Sequence, residues 1–125
     1  MEPLLIPPTS KTPEVRFDPE QEIFLIAGMS YPEYGREFYA PVIAWIEAYA
    51  KNPNSKTEFH FQFKYFNTSS AKSILSLLQK INELRVAGKD VVINWHYEFS
   101  DEQMIQDGEN YSTLLNFPFK MVQIA

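Results

Sequence analysis

Residues 64–72, Lys64-Tyr65-Phe66-Asn67-Thr68-Ser69-Ser70-Ala71-Lys72, carry an alternating stretch into a helical one through one side-chain amide and three hydroxyls. Asn67 suits the N-cap, where its side-chain oxygen accepts from a free amide of the first turn. Three hydroxyls exceed what one cap needs, and a helix N-terminus attracts anions. A phosphate on one of them would add about −1.5 to −2 charges and three acceptor oxygens. The helix end would tolerate that anion, with an interaction of about 0.3–1 kcal/mol. A partner burying the same hydroxyl would instead meet a desolvated dianion. On the residues alone two readings stand: a plain cap, which the pattern favours, or a cap that doubles as a binding switch.

A second cluster is weaker. His60 and His96 fall on alternating stretches that place them on a polar face with Glu58, Glu98 and Lys64. Two imidazoles and a carboxylate such as Glu98 have the donor types for a metal or for acid–base work. Solvated side chains on an open sheet face are the stronger reading, and no metal or catalytic residue is assigned. No GxGxxG, Walker loop, GxSxG or HExxH occurs. The four glycines, Gly28, Gly35, Gly88 and Gly108, are not spaced to cradle a phosphate. Thiol chemistry is excluded outright because the chain has no cysteine. A protein without enzymatic activity or cofactor is therefore expected. Tyr31, Tyr34 and Phe66 lie near breaks and are candidate partner anchors. Phe59, Phe61, Phe63, Trp45 and Trp95 are assigned to the core.

The elements that must position these groups fit in 125 residues, enough for one domain, 1–125. Apolar residues make up 45% and aromatics 15%, which excludes a wholly disordered chain. No run approaches the roughly 20 apolar residues of a membrane span. The start, Met1-Glu2-Pro3-Leu4-Leu5-Ile6, lacks the basic and long apolar regions of a secretory signal. A cytoplasmic protein is the expectation. The net charge is −5, and after Lys89 the only base is Lys120 against Asp90, Glu98, Asp101, Glu102, Asp107 and Glu109. That balance argues against nucleic acid, which needs a basic face, and against a basic membrane-surface helix. Residues 64–72 hold two lysines and no acid, so a phosphate there would reverse the local sign.

Pro3, Pro7, Pro8 and Pro13 predict an extended segment over 1–13 that adds little regular structure. Residues 14–17 and 22–27 flank Asp18-Pro19-Glu20-Gln21 and predict a hairpin. Phe38, Val42, Trp45 and Tyr49 recur at helical spacing over 36–51, with Pro41 expected to kink the first turn or delay the start. Residues 57–66 and 91–99 alternate as strands with one buried face. Phe59, Phe61, Phe63 and Tyr65 share one face of the first; His60, Gln62, Lys64 and Phe66 share the other. The strongest helix lies between them, over 68–86, and is stopped by Gly88. A helix over 101–115 is weaker because Gly108 interrupts it, and 119–124 is a final strand. The order β-β-α-β-α-β-α-β implies right-handed parallel crossovers and a mixed four- to five-stranded sheet with three helices mainly on one face. This α/β architecture resembles the STAS domains of anti-sigma-factor antagonists.

The sequence also resembles the SiaC family of bacterial regulatory phosphoproteins almost end to end. The likeness runs through Ile6-Pro7-Pro8-Thr9 with Thr12-Pro13, then Gly28-Met29-Ser30-Tyr31-Pro32-Glu33 and Tyr65-Phe66-Asn67-Thr68-Ser69-Ser70. It continues through Trp95-His96-Tyr97-Glu98 and Phe117-Pro118-Phe119. The resemblance implies that Thr68 is the regulatory phosphosite, written by a dedicated serine/threonine kinase and erased by a PP2C-type phosphatase. It further implies that the unmodified form binds and activates a diguanylate cyclase, raising cyclic di-GMP and favouring biofilm. On that footing Asn67, Ser69 and Ser70 support the phosphosite. Tyr65, Phe66 and Lys72, with Tyr31 and Tyr34, are expected at the partner surface.

Overall fold

The structure, a computed structural model, describes residues 1–124. Six strands and three helices follow in the order β1 (Leu4–Ile6), β2 (Glu14–Asp18), β3 (Ile23–Ser30), α1 (Gly35–Tyr49), β4 (Lys56–Phe66), α2 (Thr68–Val86), β5 (Asp90–Glu98), α3 (Glu102–Leu115) and β6 (Lys120–Ile124). The strands form one sheet in sequence order, β1 to β6. The first two pairings are antiparallel and the other three parallel, each parallel step crossing over through one helix. The STAS-like expectation holds except in the strand count. The proline-rich start contributes β1, with Leu4 paired to Phe17 and Ile6 to Val15, so the sheet has six strands. Pro3 and Pro7 bound that strand to three residues rather than abolishing it.

One face of the sheet carries the core. Val15, Phe17, Phe24, Ile26, Phe59, Phe61, Ile93 and Trp95 are buried beneath the helices. Trp45 and Tyr49 of α1 stack at 5.1 Å and pack on Phe17 and Phe24. Ile74, Leu77, Leu78 and Ile81 bury the inner side of α2, and Met104 and Tyr111 that of α3. The opposite face is open and presents His60, Gln62 and His96.

Two helices differ from their sequence expectation. α1 begins at Gly35 and runs through Pro41 without a break. Glu37 and Pro41 are both exposed, so the carbonyl that proline leaves without a donor faces water. α3 likewise runs through Gly108, which is buried against Trp95. A Cβ there would lie 2.4 Å from Trp95 Cδ1. Glycine permits the close approach and does not interrupt the helix.

A bulge at the end of β4 resets its alternation. Gly28 pairs with Phe63 but Met29 pairs with Tyr65, leaving Lys64 as the extra residue. Gly28 takes φ +113°, a conformation glycine adopts without strain. One inserted residue exchanges the two faces beyond it. Tyr65, which simple alternation would put on the face of Phe59, Phe61 and Phe63, is therefore half exposed, whereas Phe66 turns inward onto Phe63, Trp95 and Tyr111.

Candidate functional site

The bulge sits beside the segment that joins β4 to α2. Asn67 is the N-cap: its backbone is extended, and its Oδ1 accepts from the Ser70 amide at 2.9 Å. Its own amide donates to the Ser30 carbonyl at 3.0 Å, tying the cap to the end of β3. Replacing Asn67 with Ala is expected to cost about 1 kcal/mol, read as a lower urea midpoint with unchanged slope.

The three hydroxyls that follow have three different fates. Ser70 is fully buried. Tyr39 donates to Ser30 Oγ at 2.7 Å and Ser30 donates onward to Ser70 Oγ at 2.9 Å, a chain linking α1, β3 and α2. Burial holds the Tyr39 phenol well above its usual value, against a smaller opposing effect of the Ser30 bond, so it stays a donor. Ser69 Oγ accepts from the Gly35 amide at 3.3 Å. The N-cap residue of α1, Tyr34, offers no capping side chain, so α1 borrows its acceptor from α2. The fit is tight: a Cβ on Gly35 would lie 2.6 Å from Ser69 Oγ. Thr68 is exposed and belongs to neither arrangement.

Exposed aromatics surround this end of the molecule. Tyr34 and Tyr65 are 62% and 50% exposed, and Tyr31 meets Tyr65 edge-on at 6.2 Å between ring centres. Phe99, just beyond β5, is also exposed. Lys72 is exposed one turn into α2. Of the residues expected at a partner surface, Tyr34, Tyr65 and Lys72 are exposed and Tyr31 is half-buried, while the bulge withdraws Phe66 onto the core. Lys64 turns to the open face instead, where it lines a groove of about 590 Å3 with Gln62, Glu14 and Glu98. The pairing of Gly35 with Ser69 could not be read from the sequence, since it joins residues 34 positions apart.

On the open face His60 Nδ1 and His96 Nε2 are 3.0 Å apart. Burial, and second the neighbouring His60, hold His96 below the usual imidazole value, favouring its neutral form. Glu98 lies further along, in the groove. Among the described residues no three His, Asp or Glu side chains gather as a metal set.

Three comparisons bear on this arrangement. The family model for the SiaC family regulatory phosphoproteins matches residues 6–124. An uncharacterised protein of Pseudomonas aeruginosa is 31% identical over 119 residues, covering 95% of this chain and 94% of that protein. The crystal structure of apo-SiaC from Pseudomonas aeruginosa superimposes with a TM-score of 0.85 at 28% identity, over the full length of both chains. A chain in the crystal structure of the diguanylate cyclase SiaD with its activator SiaC, from the same organism, gives a TM-score of 0.89 at 30% identity. That match covers 97% of this chain and 99% of the other.

Proposed function

Because the chain belongs to the SiaC family of regulatory phosphoproteins, we propose that it is a non-enzymatic activator of a diguanylate cyclase. The solved complex of the relative SiaC with the cyclase SiaD supports the cyclase as partner class. Binding is switched by reversible phosphorylation of Thr68, through a serine/threonine kinase and a PP2C-type phosphatase. The observation that carries the switch is the division of labour among the three hydroxyls. Ser70 is buried in a hydrogen-bond chain and Ser69, though exposed, accepts from the first amide of α1, which leaves Thr68 as the exposed hydroxyl outside both arrangements.

The tyrosines around Thr68 supply contact area, and Lys72 supplies a nearby positive charge. A phosphate on Thr68 would stand in the middle of that surface. It would attach to the first residue of α2, where the helix dipole favours an anion, so folding is little affected and docking is blocked. Asn67 holds the segment in place through its bonds to Ser70 and Ser30.

The modification is tested by intact-mass analysis of the chain purified from its native cells. A fraction one phosphate heavier is expected, and Thr68→Ala should remove it. A phosphate that persists in Thr68→Ala, or none in the unmodified chain under any growth condition, refutes the assignment. A metal-dependent enzyme using His60, His96 and Glu98 is a weaker reading, since Glu98 stands apart from the two imidazoles.

A further inference from the structure

The open face of the sheet holds a feature that the Thr68 surface does not use. His60 on β4 and His96 on β5 belong to neighbouring parallel strands, and their side chains share the open face. His60 pairs in register with Leu25 of β3, and His96 with Val122 of β6. Across the β4–β5 pairing His60 stands opposite Asn94, so the two imidazoles meet diagonally, with an apolar residue on each outer flank. Both are half-buried, and Nδ1 of one faces Nε2 of the other at 3.0 Å. The nearby Glu58 carboxylate accepts from Asn94 Nδ2 at 3.3 Å instead of pairing with either ring.

We propose that His60 and His96 form a two-imidazole site for divalent nickel or copper. Imidazole nitrogens are good ligands for these ions, and bond lengths are about 2.0–2.1 Å. Two nitrogens 3.0 Å apart, each at that distance from one ion, subtend roughly a right angle. That angle suits adjacent positions of a square or octahedral shell better than a tetrahedral one. Water fills the remaining positions on this solvent-facing surface.

The proton balance is simple. In the metal-free pair one neutral ring donates its N–H to the other across the 3.0 Å gap. When the ion enters, that hydrogen moves to the outer nitrogen of the same ring, so both facing nitrogens present lone pairs. No net proton is released.

The test is a calorimetric titration of the chelator-treated full chain with nickel chloride near neutral pH. One saturable site is expected. His60→Gln and His96→Gln should each weaken it at least tenfold, because each removes one of two ligands. The ring-proton NMR signals of both histidines, and of no other region, should broaden with added nickel. The site is refuted if no saturable binding occurs, or if binding survives both substitutions. Should a variant fold poorly, the NMR titration of the unmodified chain decides: signals of both rings left sharp by nickel refute the site.

Discussion

Gly108→Ala is expected to destabilise the fold by about 1–2 kcal/mol, despite improving helix propensity. Two effects oppose each other. Alanine is favoured over glycine inside a helix by about 1 kcal/mol. Against that, the added Cβ would lie 2.4 Å from Trp95 Cδ1, 2.6 Å from Nε1 and 2.9 Å from Cγ. The ring cannot retreat easily. It is fully buried, its Nε1 donates to the Met104 carbonyl at 2.9 Å, and Phe61, Phe63, Phe66, Tyr111 and Phe119 surround it. Overpacking a filled core costs about 1–3 kcal/mol and sometimes more. With a rigid indole as the obstacle, the clash outweighs the gain in propensity. Urea unfolding followed by tryptophan fluorescence should show a lower midpoint. A midpoint equal to or above that of the unmodified chain would mean α3 shifts at little cost.

Phosphorylation of Thr68 is expected to weaken cyclase binding at least a hundredfold, about 3 kcal/mol, while leaving stability nearly unchanged. The asymmetry follows from placement. In the free protein Thr68 is exposed at the start of α2, where a dianion is solvated and lies near free amides. In a complex that covers the surrounding tyrosines, the same charge loses its water without an assigned counter-ion. Thr68→Glu carries less charge than phosphate, so about a tenfold loss is expected, and Thr68→Ala should bind like the unmodified chain. Calorimetry with the purified cyclase measures this, and thermal melts of the same samples check folding. Equal affinity of Thr68→Glu and Thr68→Ala would remove Thr68 from the interface.

Much of this was legible in the residues because it rests on local signals. The helices over 68–86 and 101–115, the two alternating strands and the Asn67 cap all follow from periodicity and boundary chemistry within a few positions. The failures have a shared cause: contact between distant parts of the chain. Gly108 reads as an interruption until Trp95 is found against it. Phe66 reads as exposed until the extra residue at Lys64 is seen to reset the strand. The surplus hydroxyls of the Thr68 segment read as ambiguous until Ser69 meets Gly35 and Ser70 meets Ser30. The three-residue strand at the start is not legible in the sequence because prolines on both sides hide it, and only its partner, β2, makes it a strand.

The two borders of the sheet are unequal, and that limits how copies of the chain can join by backbone pairing. β1 is three residues long with Pro3 before it and Pro7 and Pro8 after it, a border that offers little to a further strand. β6, Lys120–Ile124, contains no proline and a single charge, and among the described residues pairs on one side only, with β5. Strand addition is therefore available at one border. A molecule with one joining border meets another such border and stops at two copies, whereas two joining borders would let sheets extend without end. The prolines that first marked the opening segment as lacking regular structure thus act as a terminator against fibre growth.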